Sequence, residues 1–257
     1  MATPGEQDLD PSVLAYDAGI VPWLFEPWAA PMVDLLDPEP GSCVIDVACG
    51  SGLIVRHVLD RLGESGRVHG VDVDRAALDY AAQTIEDPRV AWHESDAARL
   101  PFATGSMDRA SCHQGLQFVA DRPEALREIR RVLVPGGRLV VATWGRLDDN
   151  PWPRSLSAAV GSLFGSEAGA GMAVVCDLGE PAAVADLMLG AGFVDIVVRE
   201  QTRTATHHDV RTAAAAQLAA LPSGSDIHGL SMGQGLSLIH ISEPTRHICL
   251  SRMPSSA

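Results

Sequence analysis

Three aspartates and two glycines carry most of the chemistry legible in this chain. The segment Val44–Gly52, VIDVACGSG, runs from an apolar strand through Asp46 into a turn holding Gly50 and Gly52. Glycines at that spacing let the backbone turn sharply and approach a ligand with no Cβ in the way. A helix starting near Leu53 would aim its free N–H groups at the same place. A dinucleotide turn of the GxGxxG type uses a third glycine to pack helix on strand, and here that position is Val55. Asp46 precedes the first glycine by four residues; a carboxylate there repels a diphosphate and suits an ammonium group.

The second acid, Asp72, sits in HGVDVD, 20 residues after Gly52. At a strand tip such a carboxylate can accept both hydroxyls of a ribose. Asp74 is better suited to capping the helix that follows. The third acid is Asp96 in ESDAARLPF, where a carboxylate can accept from an adenine amino group while the Ala97 N–H meets a ring nitrogen. Any one of these acids could be a cap or a solvated loop residue. Three at successive strand ends, where open α/β sheets bind ligands, point to one cleft.

The elements that must position them alternate. SCVIDVA, RVHGVDV, RVAWHES, MDRASCH and GRLVVATW read as strands, and LIVRHVLDRLG, RAALDYAAQTI and RPEALREIRRVL as the intervening helices. That order predicts an α/β fold, a doubly wound Rossmann-like, mostly parallel sheet with helices on both faces. Val13–Leu36 suggests helices over the sheet's edge. Helical pieces are expected near Ser155–Leu163 and Pro181–Leu189, a sixth strand at FVDIVVRE, and a further helix in DVRTAAAAQLAALP. Trp144, Trp152 and Phe164 follow the fifth strand and read as core or as acceptor-pocket residues.

The totals narrow the field. With 46% hydrophobic and 20% charged residues, the chain reads as one globular domain. It has no apolar run of membrane-spanning length and no signal-peptide pattern at its start. Its net charge of −14 argues against nucleic acid as a partner. Five cysteines without CxxC spacing fit reduced thiols in a cytoplasm, buried as small hydrophobes. His207-His208-Asp209 has no third ligand at recognisable spacing, so no metal is expected.

Residues Tyr16 to about Val198 resemble a class I S-adenosylmethionine-dependent methyltransferase of the small-molecule, ubiquinone/menaquinone branch. VIDVACGSG resembles the first motif, GVDVD the second and SDAARLPF the third. The block SMDRASCHQGLQFVADRPEALREIRRVLVPGGRLVVATW resembles the fourth strand, its helix and the fifth strand. The resemblance implies S-adenosyl-L-methionine as cofactor and a small-molecule methyl acceptor. It implies a binding set of Tyr16, Asp46, Ala48, Gly50, Gly52, Asp72, Val73, Asp96, Ala97, His113 and Gln114. In that set the glycine turn holds the methionine moiety, Asp72 the ribose and Asp96 the adenine. His113 and Gln114 lie near the sulfonium, and Tyr16 is the aromatic residue of an N-terminal lid. No catalytic residue is assigned, and His113 is read as structural or cofactor-contacting. An NAD(P)-dependent oxidoreductase and a non-catalytic cofactor-binding protein are the alternatives. The expected organisation is a lid over 1–38, a cofactor-binding core over 39–200 and a C-terminal part of the same domain over 201–235.

The end of the chain carries a second resemblance, of a different kind. Leu236–Arg246, LSLIHISEPTR, resembles the translation of a transposase adapter used in sequencing libraries, and Ser251–Ala257, SRMPSSA, resembles the flow-cell end of the same adapter. Residues 236–257 are therefore expected to be a non-native tail. With them the closing antiparallel strand of the family's sheet is expected to be missing, which would leave the sixth strand with an unpaired edge.

Overall fold

The computed structural model describes residues 9–207, 209–219 and 245–252, the last as backbone. His208 and the segments 220–244 and 253–257, on which parts of the metal, helix and tail expectations fall, lie outside the described residues.

Strand β1 (Cys43–Val47) is buried along nearly its whole length. It lies between β2 (Arg67–Asp72) and β4 (Met107–His113), parallel to both. β3 (Val90–Glu94) extends the sheet beyond β2, and β5 (Leu133–Trp144) beyond β4, again in parallel. Continuous apolar runs form these strands because a parallel sheet is covered on both faces. Alternate side chains go to opposite faces. Val44, Val68 and Val140 pack into one core cluster and Ile45, Val71 and Val141 into the other.

The crossover helices follow from local signals. α3 (Leu53–Leu59) buries Leu53, Ile54, Val55 and Val58. It stops short of the expected Gly63, at a cap on Asp60. α4 (Arg75–Thr84) is capped as the sequence suggests, with Asp74 Oδ1 accepting from the Ala76 N–H at 2.9 Å. Asp121 caps α5 (Arg122–Val132), accepting from the Glu124 N–H at 2.9 Å. One face of α5 buries Ala125, Leu126, Ile129 and Val132. Ahead of the sheet, α1 (Pro11–Gly19), a π-helical turn (Val21–Phe25) and α2 (Glu26–Leu36) place Leu24, Trp28 and Met32 in the first cluster.

After β5 come α6 (Pro151–Phe164), α7 (Ser166–Ala173), α8 (Pro181–Gly190), β6 (Val194–Thr202) and α9 (Val210–Ala219). Trp144 and Trp152 are core residues, whereas Phe164 is 37% exposed.

One expectation is corrected here. The closing antiparallel strand is present as backbone: β7 (Thr245–Arg252) lies between β5 and β6. It pairs Arg138 with Arg252 through Trp144 with Arg246 on one side, and Thr202 with Thr245 through Val194 with Arg252 on the other. The sheet order is β3-β2-β1-β4-β5-β7-β6. The physical reason is general. β5 and β6 each offer a row of backbone donors and acceptors, and an extended segment of almost any composition can satisfy them. Filling the slot therefore says nothing about the segment's origin.

Strand order reverses between β1 and β4. The crevice outside the strand ends at such a switch point is where open α/β sheets bind ligands.

Candidate functional site

At that crevice the chain encloses a cavity of about 380 Å³, within the size range of small-molecule sites. Its floor is the turn after β1. Ala48, Gly50 and Gly52 there have φ of 56°, 52° and 82°, all in the left-handed region where a Cβ is costly. The turn is tied down by hydrogen bonds from Cys49 N–H to the Val71 carbonyl at 3.0 Å and from Gly52 N–H to the Cys49 carbonyl at 2.9 Å.

Asp46, Asp72 and Asp96 all line the cavity, as do Tyr16, Ala48, Gly50, Val73, Ala97, His113 and Gln114. Gly52 does not. A Cβ on Gly52 would come within 2.6 Å of Ile85 Cδ1 and 2.9 Å of Trp92, so this glycine lets α4 and β3 pack beneath the turn. A Cβ on Gly50 would meet nothing within 4 Å; its backbone angle and its open side toward the cavity are what matter there.

Each carboxylate has a distinct environment. Asp46 is 1% exposed, and its Oδ1 accepts from Ser111 Oγ at 2.7 Å. Burial pushes its pKa up to about 7, with Ser111 opposing the shift and the Asp72 charge adding to it. Asp72 Oδ2 accepts from the Gly50 N–H at 2.8 Å and Oδ1 from the Asp74 N–H at 2.9 Å. It thereby locks the glycine turn to the end of β2, and burial raises its pKa as well. Asp96 Oδ1 accepts from the Ala98 N–H at 2.8 Å. Asp46 and Asp72 are thus poorly solvated as anions, and a cation entering the cavity would restore the charge that burial suppresses in them.

The opposite wall comes from α1 and the end of β4. Tyr16 stacks at a tilt on Phe25, with ring centroids 5.6 Å apart. Phe25 meets His113 edge-on at 6.0 Å. Gln114 is 7% exposed and has φ of 59°, a strained position for a non-glycine residue.

Sequence reasoning missed Val21, Gly115, Phe118, Val119 and Ala120 on this side of the cavity. A Cβ on Gly115 would fall 2.3 Å from Ala48 Cβ, so this glycine allows the loops after β1 and β4 to abut. Phe118 lines the cavity while 61% exposed. An apolar ring in a loop just past a strand end was the available signal for it. Among the described residues, no group of three His, Cys, Asp or Glu side chains is placed to hold a metal ion, and no helix is long and apolar enough to cross a membrane.

Residues 45–141 match the family model described as "Methyltransferase domain". The 2-phytyl-1,4-naphtoquinone methyltransferase of Thermosynechococcus vestitus is 38% identical over 115 residues, 44% of this chain and 51% of that protein. The ubiquinone/menaquinone biosynthesis C-methyltransferase UbiE of Paracoccus denitrificans is 39% identical over 124 residues, 47% of this chain and 49% of that one. The chain thus spans about half the length of these curated relatives. Among solved structures, Haemonchus contortus phosphoethanolamine N-methyltransferase 2, in complex with phosphomonomethylethanolamine and S-adenosylhomocysteine, superposes with a TM-score of 0.65 at 19% identity, over 96% of this chain and 58% of that one. These matches bear out the resemblance to class I S-adenosylmethionine-dependent methyltransferases of the quinone branch, and the structural likeness bears out the fold.

Proposed function

We propose that this chain transfers a methyl group from S-adenosyl-L-methionine to a small, apolar acceptor. The observation that carries the reading is the convergence of Asp46, Asp72 and Asp96 on one cavity at the β1/β4 switch point. The donor set fits the cofactor. Asp46 would accept from its ammonium group, Asp72 from the ribose hydroxyls beside Val73, and Asp96 from the adenine amino group, while the Ala97 N–H donates to a ring nitrogen. Gly50 leaves room for the ligand against the turn. A diphosphate would meet the buried Asp46 carboxylate beside the N–H groups at the start of α3, which disfavours the NAD(P) reading.

S-adenosyl-L-methionine, when bound, supplies an electrophilic methyl group on a sulfonium. Alignment is then the protein's main task. Tyr16 and His113, backed by Phe25, form the wall that excludes water and orients the acceptor. Val21, Val119 and the exposed Phe118 give the cavity an apolar side, which supports a flat, apolar acceptor such as the quinones named for the relatives above. A general base is not required for an activated carbon acceptor.

In this reading residues 1–38 serve as the lid of a core over 39–200. A cytoplasmic location is supported by the free thiols of Cys43, Cys49, Cys112 and Cys176. The adapter origin of 236–257 is supported by two matches in one order; codons for Leu236 onward at the source locus would overturn it.

Calorimetry tests the core of the proposal. S-adenosylhomocysteine should bind at micromolar affinity and NADH should not. Asp72→Ala should weaken binding by about tenfold or more, through loss of charge-assisted bonds. Unchanged affinity in that variant would mean the ribose lies elsewhere. Tight binding with no turnover of any quinol acceptor would favour the non-catalytic alternative.

A further inference from the structure

We infer that Asp17, tied to Tyr80 and Arg56, is a positioning residue that holds α1, and through it Tyr16, over the cavity and so slows ligand release. The inference rests on reading that cavity as the cofactor site.

Tyr16 and Asp17 are neighbours on α1, and Tyr16 lines the cavity. The Asp17 carboxylate turns to the core helices instead. Its Oδ2 accepts from the Tyr80 hydroxyl on α4 at 2.5 Å, and its Oδ1 lies 3.6 Å from Arg56 Nη2 on α3. Arg56 Nη1 donates to the Ser51 carbonyl at 3.2 Å, and Ser51 belongs to the turn that forms the cavity floor. One carboxylate thus links the lid to two core helices and, through Arg56, to the floor.

The Asp17 side chain is 16% exposed and that of Arg56 34%, so water screens this tie less than a surface ion pair. Burial first, and the Asp17 hydrogen bond second, push the Tyr80 phenol up to about 12, so it remains a donor under ordinary assay conditions. Oδ1 is buried yet accepts no hydrogen bond. Its cationic partner is Arg56, whose Nη2 stands 3.6 Å away, an ion-pair distance rather than a hydrogen bond. On its other side α1 leans on α9, where a Cβ on Gly19 would fall 2.4 Å from Ala216 Cβ. That contact is apolar and cannot sense the cavity. The Asp17 tie, by contrast, is polar and reaches the floor through Arg56.

The experiment measures S-adenosylhomocysteine release from the full chain by surface plasmon resonance. Asp17→Ala should speed release about tenfold with little change in association. Tyr80→Phe should give a smaller increase, and the double variant no more than Asp17→Ala alone. Asp17→Glu should recover part of the loss. Asp34→Ala, which breaks the separate surface pair with Arg61, should release like the wild type. The ligand-free melting temperature of Tyr80→Phe should stay near the wild-type value, which separates lid control from general loosening. Wild-type release rates in both Asp17→Ala and Tyr80→Phe would overturn the inference. So would faster release that merely tracks lost stability and that Glu does not rescue. A wild-type chain that binds no S-adenosylhomocysteine overturns both this inference and the cofactor reading; binding with unaltered release overturns this inference alone.

Discussion

The parallel half of the sheet, β3-β2-β1-β4-β5, and its outer flank, β7-β6, are built by different rules. In the parallel half, β1 is buried nearly throughout and β5 over its last residues. Helices cover both faces there, and Gly52, Gly70 and Gly115 mark places where no Cβ fits. β6 by contrast alternates between exposed and half-buried residues, with Val194 and Val197 open to solvent at 36% and 43%. Its strand pairing among the described residues is with β7. The parallel half is specified by packing that tolerates little change, and the flank chiefly by backbone pairing that many sequences can supply. The cavity lies wholly on the first half and its lid, where precise positioning is available.

The sharpest way to break this contrast is at Gly70, in the middle of β2. A Cβ there would come within 2.4 Å of the Trp92 ring and 3.1 Å of Cys49 Sγ. Gly70→Ala should destabilise the fold by about 2–3 kcal/mol, since a packed indole cannot step aside without disturbing its neighbours. Chemical denaturation would measure it, and a loss below about 0.5 kcal/mol would mean the parallel half is as plastic as the flank.

A medium effect is expected from pH. In the ligand-free fold the Asp46 carboxyl keeps its proton up to about 7, against an ordinary value of 3.8. The folded state therefore holds a proton that the unfolded chain has released. Asp46 makes the ligand-free protein lose stability as pH rises from about 4 to about 7, with no further change above. A cationic ligand selects the ionised form. S-adenosylhomocysteine affinity should accordingly fall below pH 7, by at most about tenfold per pH unit. Titration calorimetry across pH 5.5–8 in Asp46→Asn should show this dependence gone. A wild-type affinity flat over that range would remove Asp46 from the ammonium role.

The smallest effect belongs to the flank. Val197→Thr keeps the β-branch and changes an exposed face, so its melting free energy should stay within about 0.5 kcal/mol of wild type. A loss approaching that of Gly70→Ala would erase the distinction between the halves.

Much of the parallel half was legible before any coordinates. Strand and helix order follow from apolar runs alternating with amphipathic segments. Asp74 caps α4 because a carboxylate two and three residues ahead of free N–H groups has little else to do. The three acids could be put near strand tips because each lies in or just past a strand-like run: Asp46 inside β1, Asp72 at the end of β2 and Asp96 two residues past β3. The flank was less legible. An empty slot was expected beside β6, and β7 occupies it, because edge pairing depends on backbone groups that leave no mark in composition.

The sequence by itself determined the alternating α/β order, the acid-and-glycine turn and the identity of the strand-end carboxylates. These depend on residues a few positions apart, whose conformational preferences act locally. Only the tertiary structure decided that Gly52 packs against Ile85 and Trp92 while Gly50 faces the cavity, that Gly115 admits Ala48, and that Asp17 joins Tyr80 and Arg56. It also decided that Asp46 is buried deeply enough to hold its proton near neutrality. Those facts depend on which distant residue arrives opposite and how much water it displaces, and neither quantity exists until the chain has folded.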